Sequence, residues 1–262
     1  MTLDLYQIDA FTDRLFGGNP ACVVPLTSWL PDDLLLKIAK ENAVAETAYF
    51  ISNGDSFNLR WFTPEYEMDL CGHATLATAH VLKSILHHPS DHLIFHTRSG
   101  DLSVLIEQER YILDFPSRKP VPASLPDIIK SSINIQPKEV LKARDYVLVY
   151  DTERDIKNIA FNRAIFDQIN LSPGGVIVTA PGDECDFVSR FFTSQSAILE
   201  DPVTGSAHCT LIPYWSERLD KKEMVALQIS DRVGKLWCTD KNDRVWIGGM
   251  AITYSIGRCW VA

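Results

Sequence analysis

Three side chains in this sequence can take and return a proton and lie beside places where a small anion can be held: Glu46, His73 and Asp201. Glu46 is the lone carboxylate of Ala43-Val44-Ala45-Glu46-Thr47-Ala48-Tyr49-Phe50, an unusual setting for a charge. Taken alone it has two readings, an acid at a strand end facing water or a group set apart for chemistry. His73 follows Cys71-Gly72, and Asp201 comes shortly before Gly205-Ser206. Each glycine opens an apolar run of helical character. A helix N-terminus presents free N–H groups and the positive end of its dipole, worth ~0.3–1 kcal/mol to an anion and up to ~2 when partly buried. Glycine at that turn lets a carboxylate approach bare backbone. Proton-transferring groups beside two such helix starts suit the removal and return of a proton on a small carboxylate-bearing molecule.

The elements that must position these groups occur twice. Arg60-Trp61-Phe62-Thr63-Pro64 returns as Arg190-Phe191-Phe192-Thr193-Ser194, and Gly72-His73-Ala74 returns as Gly205-Ser206-Ala207. The copies are 130 residues apart at the first motif and 133 at the glycine, a drift that an insertion holding Asp201-Pro202-Val203 absorbs. Self-similarity at half the chain length points to a duplicated domain rather than a solenoid. Each copy reads as an aromatic, β-branched strand, an irregular loop and a helix. The helix from Ala74 to about Ser84 has no polar face, so it is expected to be buried. Its counterpart runs from about Ser206 to Leu219, where Pro213 is expected to kink the helix or mark its true start. Two buried helices imply two sheets wrapped around them.

The remaining pattern supplies those sheets. Strands are predicted near Leu3–Phe11 and Ala21–Pro25, around the turn Gly17-Gly18-Asn19-Pro20. Pro31-Asp32-Asp33 opens an amphipathic helix. Hairpin strands follow over 93–115, and the four prolines of Pro116–Pro126 mark the best linker. Residues 158–170 are expected to form a surface helix. The domains expected are 1–116, with 250–262 pairing back onto it, and 117–249.

Other chemistries fit poorly. His87, His88, His92 and His96 lack the spacing of a zinc site, so no metal is expected. Cys71 at a helix start is a candidate reactive thiol. A symmetric thiol pair of the kind a two-base racemase needs is broken, because Cys209 falls inside its helix. A Gly-X-Ser-X-Gly elbow, a dinucleotide fingerprint and a phosphate loop are all missing. The formal net charge of −9 argues against nucleic acid as a partner. No apolar run approaches a membrane span and the N-terminus does not read as a signal peptide, so a cytoplasmic location is expected. The six scattered cysteines are then expected to be reduced.

Asp9-Ala10-Phe11-Thr12 with Gly18-Asn19-Pro20, Glu46-Thr47, Phe62-Thr63-Pro64, Cys71-Gly72-His73-Ala74-Thr75 and Glu200-Asp201-Pro202-Val203-Thr204-Gly205-Ser206-Ala207 together resemble the phenazine-biosynthesis PhzF-like family. The resemblance extends to Ile247-Gly248-Gly249, nearly the whole chain. It implies a diaminopimelate-epimerase-like α+β fold: two pseudo-symmetric domains, each an antiparallel sheet curled around a central buried helix, with the active site between them. It also implies no cofactor, a homodimer, and isomerisation of the trans-2,3-dihydro-3-hydroxyanthranilate type. By that similarity Glu46 is the proton shuttle and His73 and Asp201 are its partners, with Gly72, Gly205 and Ser206 as substrate-carboxylate contacts beside Cys71. Ala45 departs from the serine that often precedes the glutamate, which leaves the substrate open.

The expectation is therefore a cofactor-independent isomerase for a small, cyclic carboxylate. Two alternatives stand beside it: a binding protein for a small metabolite without turnover, and a thiol-based epimerase using Cys71.

Overall fold

The structure is a computed structural model that describes residues 1–261. The chain divides into two compact units, one formed by residues 1–115 with the chain from Trp246 onward, the other by Pro116–Val245.

The first unit carries a curled sheet in the spatial order Ala251–Trp260, Thr2–Ala10, Asn19–Leu26, Glu46–Asn53, Ser56–Phe62, His92–Thr97, Gly100–Glu107, Arg110–Pro116. The last strand of the chain returns to pair with the first, Thr2 opposite Trp260 and Ala10 opposite Ala251. Pairing is antiparallel except at two junctions. Strand Asn19–Leu26 runs parallel to Glu46–Asn53, and Ser56–Phe62 parallel to His92–Thr97. Parallel neighbours need a crossover, and each junction has one. The amphipathic helix Asp32–Asn42 serves the first junction, and the helix Gly72–His80, extended by a π turn over Val81–Ile85, serves the second.

The second unit repeats this grammar. Glu139–Lys142 is antiparallel to Tyr146–Val149, which is parallel to Val176–Pro181. That strand is antiparallel to Phe187–Phe192, which is parallel to Glu223–Gln228, itself antiparallel to Gly234–Asp240. The second parallel junction is again bridged by a long buried helix, Gly205–Leu219. The sheets are therefore mixed rather than purely antiparallel, with the exceptions at the same two steps of both copies. The expected surface helix over 158–170 is instead a pair of short helices, Glu153–Asn158 and Arg163–Phe166, serving the other crossover. The residues between them leave helical geometry at Ile159, whose backbone is extended.

The duplicated motif also folds identically in detail. Arg60 clasps Glu67 through Nε and Nη2, both at 2.7 Å, and Arg190 clasps Glu200 the same way at 2.7 and 2.6 Å. In each copy the glutamate lies on a two-residue strand opposite the second aromatic, Phe62 or Phe192, over whose ring the arginine sits at 5.1 or 4.9 Å.

The first central helix is buried throughout, and the second from Ala207 to Ser216. Every residue from Gly72 to His80 is buried, as an all-round apolar helix requires. Pro213 neither starts nor ends the second helix. A proline inside a helix leaves the carbonyl four residues back without its donor, and here the Cys209 carbonyl accepts the Arg118 amide at 2.9 Å instead.

Two core histidines tie stability to pH. His80 lies within hydrogen-bond distance of the Tyr111 and Thr253 hydroxyls, at 3.0 and 2.9 Å, while His208 Nδ1 donates to the Thr204 carbonyl at 2.9 Å. Burial pushes each down to about 4 from the ordinary 6.5. Below pH 6.5 the unfolded chain takes up protons that the folded chain refuses, so this stability is full above pH 6.5 and falls as the pH drops towards 4. Together the pair should remove roughly 2 kcal/mol of unfolding free energy between pH 6.5 and 5.5. Urea titrations should show that loss, about halved in His80→Gln; an unchanged slope in the variant would assign the acid sensitivity elsewhere.

Candidate active site

Glu46 begins the strand Glu46–Asn53 in register with Ala21, and its side chain is only 14% exposed. Of the two readings open for it, the water-facing acid is not the one observed. His73 is the second residue of the first central helix and is buried. Its Nε2 lies 3.0 Å from Glu46 Oε2 as an ion pair, yet the two atoms are not aligned as a hydrogen bond, so both are buried without a hydrogen-bond partner. Such atoms are rare in folded proteins and are found where a ligand or a reaction uses them.

The opposite edge of the ring is occupied. Asn19 Nδ2 stands 3.2 Å and Cys71 Sγ 3.6 Å from His73 Nδ1. Asn19 reaches the ring because the chain turns sharply before it. Gly18 has φ +58°, and a Cβ there would fall 2.0 Å from the Ala10 carbonyl oxygen, so the turn requires glycine. Fully buried Asn19 thus belongs to the site, although its sequence context marks it only as a turn residue.

Burial works against a charged imidazole at His73, but its neighbours outweigh it and hold the group well above the ordinary histidine range. Burial pushes the Cys71 thiol up, with the Glu46 charge acting in the same direction. A protonated thiol carries no charge, so the Glu46 carboxylate is what favours protonated His73.

Glu46, Cys71 and His73 also form the only grouping of three metal-ligating side chains among the described residues, their ligand atoms within 4.8 Å of one another. Cys71 faces Nδ1 and Glu46 faces Nε2 of one ring. The contacts run from thiol to imidazole to carboxylate, and the imidazole–carboxylate contact is one along which a proton can pass. Of the histidine cluster, His96 is held by Asp101 and Ser56 at 2.7 and 2.9 Å.

The second unit holds Asp201, Gly205 and Ser206. Asp201 ends a two-residue strand opposite Phe191, and its Oδ2 accepts the Thr204 hydroxyl at 2.5 Å. Fully buried Gln228 fixes this loop, donating to the Asp201 carbonyl at 2.8 Å and accepting the Thr204 amide at 2.8 Å. Ser206 Oγ accepts from Arg144 Nη2 at 2.9 Å. Neither Cys71 nor Thr204, the residues before the two central helices, makes a side-chain cap. Both helix starts therefore keep first-turn N–H groups without an internal cap. Arg144 and Gln228 stand outside every motif, and nothing in their sequence neighbourhood marks them.

The chain matches the family model for phenazine biosynthesis-like proteins over residues 8–257. Two proteins of Pseudomonas aeruginosa, each named an uncharacterized isomerase, are 46% and 44% identical to it, with 98% of both chains covered in each case. A crystal structure of a PhzF-family phenazine biosynthesis protein from Enterococcus faecalis superposes with a TM-score of 0.95 at 42% identity, covering 100% of both chains.

Proposed function

The chain belongs to the phenazine biosynthesis-like family and is an isomerase; from that premise we propose that it moves a proton on a small cyclic carboxylate, with Glu46 as the group that takes and returns it. The observation that carries this reading is the Glu46–His73 pair, two buried proton-transferring atoms 3.0 Å apart with no aligned hydrogen bond to any other group. Glu46 removes a proton from a substrate carbon, His73 stabilises the carboxylate in its charged form, and the proton returns from Glu46 to another carbon of the conjugated system. Atoms balance within the substrate, so the step calls for no co-reactant. Asp201 is the further acid–base group of this reading, and Gly205 and Ser206 are its carboxylate contacts.

The test is a screen of cyclic and amino-acid carboxylates for carbon-bound proton exchange in deuterated water, read by NMR. At least one class should exchange with the wild-type protein and stop exchanging with Glu46→Gln. A protein that binds a member of the panel and exchanges nothing is a binding protein instead.

The thiol-based epimerase is disfavoured by the burial of Cys71 and the raised pKa of its thiol, since a thiolate is the reactive form. Cys71→Ala should accordingly keep turnover within about tenfold of wild type, well short of the ~10²–10⁴ that a general base contributes. Loss on that larger scale, together with inactivation by iodoacetamide, would transfer the base role to Cys71.

A further inference from the structure

The second helix start is organised by Arg144, a residue that no motif includes. Its Nη2 donates to Ser206 Oγ at 2.9 Å, and its Nε lies 3.3 Å from each oxygen of Asp145. Asp145 has no exposed side-chain surface, and its Oδ1 also accepts the Gly175 amide at 2.9 Å. The guanidinium is thus anchored from behind to a buried acid that is itself bonded to backbone. A quarter of the Arg144 side chain remains exposed, and Nη1 has no partner among the described residues.

Ser206 is affected directly. A serine inside a helix commonly turns its hydroxyl proton to the carbonyl four residues back, but Ser206 is only the second residue of its helix and that carbonyl precedes the helix. Here that carbonyl, of Pro202, accepts from Ser230 Oγ at 2.9 Å, and Ser206 makes no such bond. With Oγ accepting from a cation, the Ser206 proton is left to donate outward, and a hydroxyl polarised in this way favours an anionic acceptor.

A second guanidinium stands further along the same helix. The Arg118 amide holds the carbonyl that Pro213 leaves open at Cys209, and Arg118 Nη1 is buried without a partner. Burial pushes Cys209, in the second turn, up to about 11, against the pull of both Arg118 and Arg144. Arg118 and Arg144 thus both bear on this helix, with the Asp145 charge set against them.

We propose that Arg144 is a specificity-determining residue: its Nη1 and the Ser206 hydroxyl it orients together hold a carboxylate of the substrate and discriminate against uncharged analogues. The inference rests on the proton-transfer reading for its substrate class and adds the group that recognises the charge.

Benzoate and benzamide, the simplest cyclic carboxylate and its neutral isostere, separate the two ideas when titrated by ligand-observed NMR. The wild-type protein should bind benzoate at least about tenfold more tightly than benzamide, in keeping with a charge-assisted pair. Arg144→Gln should erase that preference by weakening benzoate alone, and Arg144→Lys should restore part of it. A wild-type protein without the preference, or one that binds neither compound, overturns the assignment. So does an Arg144→Gln variant that weakens both ligands equally, the mark of a merely structural role. Glu46→Gln should keep the charge preference. A preference without any proton exchange would sink the proton-transfer reading alone, and exchange without the preference would sink this one alone.

Discussion

Replacing Glu46 by Gln should lower turnover by at least a hundredfold and as much as ten-thousandfold, the range a positioned general acid–base group contributes. The substitution keeps volume and a hydrogen-bonding end, so the fold should hold and ligand affinity should stay close to wild type. It removes the one charge that favours the protonated form of His73. A substrate-free consequence follows, because that carboxylate is one of the two neighbours, with Cys71, that raise the pKa of His73. In Glu46→Gln the histidine should titrate lower than in the wild-type protein, as burial then acts with little opposition. An NMR titration of the ring carbons reads this directly. A variant with wild-type turnover, or a His73 whose titration does not move, would remove Glu46 from its role.

The largest stability effect is expected at Arg190. All three of its guanidinium nitrogens are engaged: Nε and Nη2 on Glu200, and Nη1 on the Ile156 and Ile159 carbonyls at 3.1 and 3.2 Å. Its side chain is 15% exposed and that of Glu200 20%. Arg190→Met leaves a mostly buried carboxylate and two carbonyls without their donor, a loss of about 3–5 kcal/mol. Adding Glu200→Leu should recover a substantial part, because much of the cost is the stranded charge rather than the missing pair. Since Glu200 adjoins Asp201, the single variant should also disturb the loop that Gln228 holds. Chemical denaturation of the two single variants and the double variant measures the coupling. Strict additivity would show that the clasp contributes nothing of its own.

That clasp also shows how far the sequence could be read. Arg60 and Arg190 announce the duplication through their aromatic neighbours, and the repeated Gly-X-Ala places the central helices, because strand aromatics and an all-apolar helix leave few alternatives. Glu46, His73 and Asp201 stand out in the sequence as candidates because a lone carboxylate and two glycine-led helix starts are unusual. Pairing direction was not legible. An antiparallel hairpin is encoded in a local turn, whereas the parallel joins at Asn19–Leu26 and Ser56–Phe62 depend on what a whole crossover helix does. Residues 158–170 read as one helix because their polarity resembles a surface helix, but Ile159 extends and divides it from the helix before. Pro213 read as a kink or a helix start because the amide that satisfies Cys209 comes from Arg118, far away in sequence. Asn19 reads as a turn residue because its role lies in what the turn aims at. Arg144 and Gln228 were silent for the same reason: their partners are distant in sequence, and no spacing rule connects them.

The direct test uses a substrate found by the exchange screen, labelled with deuterium at the carbon that loses its proton. With a buried carboxylate carrying the proton, the wild-type protein should deliver part of that deuterium to the carbon that gains one, and Glu46→Gln should transfer none. Delivery by Glu46→Gln as fast as by the wild-type protein would contradict the account.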